Sequence, residues 1–108
     1  MGLDVAKPGK LDEKLLAAIV EKSIATGDYI ILPHARIRCT QRDVSAADIE
    51  YALEKGRRIK KRDRFDEGLQ RWSYAYEGNS IDGEHLRVII TFVKKLAVVT
   101  VVKLGDVE

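Results

Sequence analysis

The sequence predicts an α+β domain in which N-terminal helices pack on an antiparallel sheet of about four strands. Three observations carry that expectation. Apolar residues recur at helical spacing as far as Gly56, the period then falls to two, and the C-terminal third is rich in β-branched residues bounded by turn signals. A chain of 108 residues has room for one core, and 45% hydrophobic with 33% charged residues suffices to bury one.

The elements follow in order. Residues 1–10 read as a flexible tail. Leu11–Thr26 is an amphipathic helix, with Leu11, Leu15, Ile19 and Leu16, Val20, Ile24 at helical spacing and Gly27 as its stop. Tyr29–Leu32 is a strand or an extended linker closed by Pro33. A second helix runs from His34 to about Arg42, and Asp43-Val44-Ser45 interrupts it. Ser45-Ala46-Ala47-Asp48 opens a third helix as a capping-box variant; that helix buries Ile49, Ala52 and Leu53 and ends at Gly56. Arg57–Arg64 reads as a strand and Phe65–Leu69 as a loop. Arg71–Glu77 alternates, with Trp72, Tyr74 and Tyr76 on one face and Ser73 and Ala75 on the other. Gly78–Gly83 is a turn, and Glu84–Val93 and Leu96–Leu104 form two strands joined tightly at Lys94-Lys95.

Composition excludes several classes of protein. A lone cysteine, Cys39, forms no internal disulfide, and with two histidines it makes a closed zinc site untenable. No P-loop, dinucleotide fingerprint or metal-ligand spacing is present, so neither a metal nor a cofactor is expected. Without a membrane-length apolar run or a signal-peptide core, the expected location is the cytoplasm. Charge is uneven along the chain. Residues 1–33 sum to −1, residues 34–64 to +5 and residues 65–108 to −2. The middle third therefore fits a polyanion, with Arg58, Lys60, Arg62 and Arg64 as nucleic-acid contacts; a charged edge strand guarded against aggregation explains the same run.

Two groups could carry chemistry. His34, Arg38 and Arg42, spaced i, i+4, i+8, fall on one helical stripe. Guanidiniums neutralise a phosphodiester, and imidazole exchanges protons near neutral pH; the same stripe also reads as the solvent face of a short helix. On the sheet, Tyr74 and Tyr76 could stack bases, and Arg87 stands as a charge inside Leu86-Arg87-Val88-Ile89-Ile90. Arg87 is expected on the same concave surface as His34 and Arg38, because burying it unpaired is costly. Lys103 lies on the last strand, His85 reads as a surface histidine, and Cys39 as a small buried hydrophobe.

The run H-A-R-I-R-C-T-Q-R-D-V-S (His34–Ser45) resembles a family of small bacterial domains with the pattern H-A-x-x-R-x-x-x-R-x-[IV]-S. These are similar to the RelE/MqsR-like toxins of the BECR fold, and W-S-Y-A-Y-E…G-E-H-L-R-V-I-I-T-F…L-A-V-V-T-V-V-K-L resembles their C-terminal half. The resemblance covers about residues 27–104. It implies a toxin of a toxin–antitoxin pair that cleaves mRNA without metal, neutralised by an MqsA-like antitoxin. It further implies His34 as proton carrier, Arg38, Arg42 and Arg87 as phosphate clamps, Tyr76 as acid or stacking residue and Lys103 as a weaker contact. A non-catalytic nucleic-acid- or protein-binding module of the same fold is the alternative.

Overall fold

Local signals set the ends of all three helices. Asp12 accepts hydrogen bonds from the N–H groups of Lys14 and Leu15 and so caps α1 (Glu13–Thr26), while Gly27 ends it at φ 74°, where glycine carries no penalty. Pro33, which has no N–H to leave unsatisfied, starts α2 (Pro33–Arg42). Ser45 and Asp48 close a reciprocal capping box on α3 (Ala46–Lys55), with hydrogen bonds of 2.9 and 3.1 Å. The computed structural model describes residues 9–106.

Among the described residues six strands follow or intervene: β1 (Tyr29–Ile31), β2 (Arg57–Arg58), β3 (Arg64–Asp66), β4 (Arg71–Asn79), β5 (His85–Val93) and β6 (Lys95–Lys103). They form one sheet in the order β1-β6-β5-β4-β2, with β3 paired to the first residues of β4. The expected antiparallel sheet of about four strands is thus a mixed sheet of six. Tyr29–Ile31 settles as a strand and pairs in parallel with Leu96–Val98, and α2, which follows it, packs on β6. The basic run expected as one strand, Arg57–Arg64, is broken by a 3₁₀ turn at Lys60–Arg62. That turn swings Asp63 inward to a side chain 1% exposed. Phe65 and Asp66, expected in a loop, belong to β3, and Phe65 packs edge-on to Trp72.

All three helices lie against one face of the sheet. Leu86, Val88 and Ile90 of β5 point into that layer with Tyr74 and Tyr76 of β4, and meet Leu16 and Val20 of α1, Ala35 and Cys39 of α2, and Ile49, Ala52 and Leu53 of α3. A β-bulge leaves Val99 without a partner on β5, so that both Val98 and Val101 face inward despite their odd spacing. The other face carries Glu77, Arg87, Ile89 and Thr100. Leu15, expected on the apolar stripe of the first helix, is half exposed. No helix among the described residues is long and apolar enough to cross a membrane. Residues 1–8 of the expected tail lie outside the described part; Lys10 is held by Asp63, with Nζ 2.9 Å from Oδ2.

Candidate functional site

The second helix presents His34 and Arg38 on one exposed flank. Ala35 and Cys39 turn inward onto β6, so residues one position before each are carried to the side of the helix. Arg42 continues the stripe one turn later and is half-buried where the helix ends. Among the described residues, the side chains of His34 and Arg38 make no hydrogen bond or ion pair. Their polar atoms are free to engage a ligand, and Ile37, 56% exposed, adds an apolar contact beside them. Burial pushes the Cys39 thiol up, as suits a small core residue and not a thiolate nucleophile.

Arg87 and Tyr76 do not join this stripe. Arg87 leaves β5 between two inward residues, Leu86 and Val88, and so projects from the face opposite the helices. The expectation of one concave surface shared by Arg87, His34 and Arg38 is therefore corrected. Its charge is met across the strand by Glu77, with Nη2 to Oε2 at 2.9 Å, which offsets the cost of a charge in an apolar strand. Tyr76 is buried on the helix side, lining a cavity of about 470 Å³ between α1 and α3. Burial raises its phenol pKa, and the positive charge of Arg58 opposes that only in part, so it is a weak proton donor.

Arg58 belongs to a different structure from the nucleic-acid surface it was expected to form. Its guanidinium donates to both oxygens of Glu13 at 3.0 and 3.1 Å, to both oxygens of Asp63 at 2.9 and 2.7 Å, and to the carbonyl of Ala75 at 2.9 Å. It also lies over the rings of Tyr74 and Tyr76 at 5.4 and 5.5 Å. Asp63 further accepts from Lys10 and from the backbone N–H of Ala75. Burial works to raise the Asp63 carboxyl, but the hydrogen bonds from Arg58, Lys10 and Ala75 outweigh it and hold it below the usual range. The hydrogen bond from Arg58 lowers Glu13 likewise, and its two acidic partners raise Arg58. This network ties α1 to the sheet.

The remaining residues divide. Lys60 and Arg62 are exposed on the 3₁₀ turn, and Arg64 is exposed and donates to the carbonyl of Asp63. Lys103, on the helix side at the end of β6, pairs with Glu84 at 3.0 Å. Sequence reasoning passed over Tyr51, Lys55 and Arg57, which the fold brings beside the exposed His85. Those three lie within seven residues of one another, and what hides the grouping is their distance along the chain from His85, which the close approach of Gly56 and Gly78 bridges.

Compared with known proteins, residues 31–103 match the family model described as a domain of unknown function, DUF4258. No curated protein and no solved structure matches the chain. The match begins at the last residue of β1, so it takes in the α2 stripe and strands β2 to β6 but leaves out α1 and most of β1.

Proposed function

This chain belongs to the DUF4258 family, and we propose that it is a metal-independent endoribonuclease of the RelE/MqsR-like kind, acting as the toxin of a toxin–antitoxin pair. The observation that carries the proposal is the exposed flank of α2, where an imidazole and a guanidinium one turn apart have no partner among the described residues. Elsewhere the same side-chain types are spent on carboxylates, as at Arg58 and Arg87. On this reading Arg38, with Arg42 below it, holds a phosphodiester. His34 takes the proton of the neighbouring 2′-hydroxyl, whose oxygen attacks the phosphorus. The bond to the 5′-oxygen breaks, leaving a 2′,3′-cyclic phosphate and a 5′-hydroxyl. Arg38 favours the transition state because the phosphorane carries more charge than the ground state. With Tyr76 walled off beneath α1 and α3, the leaving oxygen takes its proton from solvent. An antitoxin of the MqsA-like kind would neutralise the toxin by covering this flank, with Ile37 as its apolar foothold.

A second reading, a nucleic-acid-binding module without turnover, has its own support. The α2 flank offers one proton-exchanging group, and none of its residues lines any of the cavities on this domain described here, of about 570, 470 and 380 Å³. Labelled RNA incubated with the protein in EDTA separates the two. Cleavage to cyclic-phosphate ends that falls by about 10²–10⁴-fold in His34→Ala supports the ribonuclease. Salt-dependent binding that weakens in Arg38→Ala, with RNA left whole, supports the module. Cleavage undiminished in His34→Ala removes the α2 flank as the site.

A further inference from the structure

A cleft of about 380 Å³ opens where the end of α3 meets the β2 edge of the sheet. Tyr51 and Lys55 come to it from α3, Arg57 from β2, Asn79 from the end of β4 and His85 from the start of β5. Two glycines hold its walls in place. A Cβ on Gly56 would lie 2.3 Å from the carbonyl oxygen of Ala52 and 2.9 Å from the Cα of Gly78, and one on Gly78 would lie 2.5 Å from the same oxygen. The last turn of α3 is therefore pressed directly onto β4, which sets Lys55 and Arg57 on either side of the contact.

The cleft is chemically uncommitted. Among the described residues, the side chains of Tyr51, Lys55, Arg57, Asn79 and His85 make no hydrogen bond or ion pair. The one carboxylate in the wall, Glu77, is already bound to Arg87. Two free cations, an imidazole and an amide thus surround a concavity that has no free anion, beside a phenol ring that is 41% exposed. The volume lies within the range of about 300–1,000 Å³ that small-ligand sites occupy.

We infer that this cleft is a nucleotide site, taking a phosphate on Lys55 and Arg57, with His85 as a further donor and the base against the ring of Tyr51. The ligand class rests on the RNA reading given above; the cation cluster does not. Aromatic rings accept any base by stacking, and paired cations hold phosphate without regard to sequence. The nucleotide can be free or can be the phosphorylated end of an RNA strand, and the two share this chemistry.

The chain has two histidines, His34 and His85, so each imidazole reports on one site. Adenosine 5′-monophosphate is titrated at low salt into the imidazole-labelled protein and followed by NMR. The expected result is a saturable shift of the His85 resonances. Lys55→Gln with Arg57→Gln should abolish it, and Tyr51→Ala should weaken it about tenfold. Movement of His34 alone overturns the cleft and leaves the α2 reading standing. Saturable movement of His85, with or without His34, supports the cleft, and no movement of His85 overturns it, while the α2 reading stands or falls on the RNA experiment with His34→Ala and Arg38→Ala. If inorganic phosphate shifts His85 as strongly as the nucleotide, the site takes a bare anion and the nucleotide inference falls. A 5′-phosphorylated trinucleotide that displaces the mononucleotide identifies the source as an RNA end; failure to displace it identifies the free nucleotide. Amide spectra that keep their dispersion show that the variants are folded.

Discussion

Residues 34–42 and residues 57–64 are both rich in arginine, yet the fold treats the two stretches in opposite ways. On α2 the inward positions are taken by Ala35 and Cys39, so His34 and Arg38 are turned out and left without partners among the described residues. In the second stretch Arg58 is turned in, its side chain 13% exposed, and five hydrogen bonds hold it between α1 and the sheet. The exposed members of that stretch, Arg57, Lys60, Lys61, Arg62 and Arg64, keep charge at the surface. A count of basic residues measures potential for a polyanion, but availability depends on whether a carboxylate from elsewhere in the chain has reached the charge first.

The comparison is broken most directly at its buried end. Arg58→Ala leaves Asp63 inside with Lys10 as its one remaining cation beside the Ala75 N–H, and removing one partner of a buried pair costs about 3–5 kcal/mol. The expected outcome is an unfolding free energy, measured by urea, lowered by that amount, with α1 losing amide protection along with the edge of the sheet. A variant as stable as the wild type would mean that the network does not hold α1 in place.

Acid provides the same test without mutation. Asp63 and Glu13 both have folded pKa values below their unfolded ones. Their contribution is therefore complete above the unfolded value of about 4 and is lost as pH falls through the folded value. Stability measured by urea from pH 6 down to pH 2.5 should be flat at first and then drop below about pH 4. Asp63→Asn should be less stable at pH 6 and show a shallower acid limb; an unchanged limb would take Asp63 out of the linkage.

A smaller effect is expected at the contact between the last turn of α3 and β4. Gly78→Ala forces a methyl group to within 2.5 Å of the Ala52 carbonyl oxygen, and overpacking of this kind costs about 1–3 kcal/mol. Thermal unfolding should move down accordingly. Gly83→Ala, where an added Cβ meets no atom within 4 Å, is strained through its φ of 91° and not through crowding, so the two losses have different origins.

The smallest change in stability belongs to the α2 flank. Arg38→Ala and His34→Ala remove exposed side chains without partners among the described residues and should shift unfolding by no more than about 0.5 kcal/mol. Reversing Lys60 and Arg62 to Glu should be equally mild for folding. Its effect on RNA affinity separates the two surfaces, since a loss across all sequences with a flatter salt slope extends the footprint to the 3₁₀ turn. Unchanged RNA affinity confines binding to α2.

Much of this molecule was legible in order along the chain. Gly27, Pro33, Ser45 with Asp48, and Gly56 punctuate the helices by local hydrogen bonding and backbone freedom, which need no distant partner, whereas the cap at Asp12 was passed over and the first helix set to start at Leu11. Alternation correctly assigned Trp72, Tyr74 and Tyr76 to one face and set Arg87 with Ile89 on another, because side-chain period is a property of the strand itself. The i, i+4 stripe of His34 and Arg38 is legible for the same reason.

Tertiary structure alone decided the rest. The parallel pairing of β1 with β6 spans 67 residues between Tyr29 and Leu96, and nothing at either position announces the other. Arg58 meets Glu13 at a separation of 45 residues, so its burial could not be distinguished from the exposure of its neighbours in the same basic run. Which face of the sheet the helices cover, and with it the separation of Arg87 from His34, is likewise a long-range choice. The cleft around His85 depends on two glycines 22 residues apart touching backbone to backbone. Local rules determine the conformation of each segment, but the availability of a charge depends on which segments meet, and that is settled by the packing of the whole core.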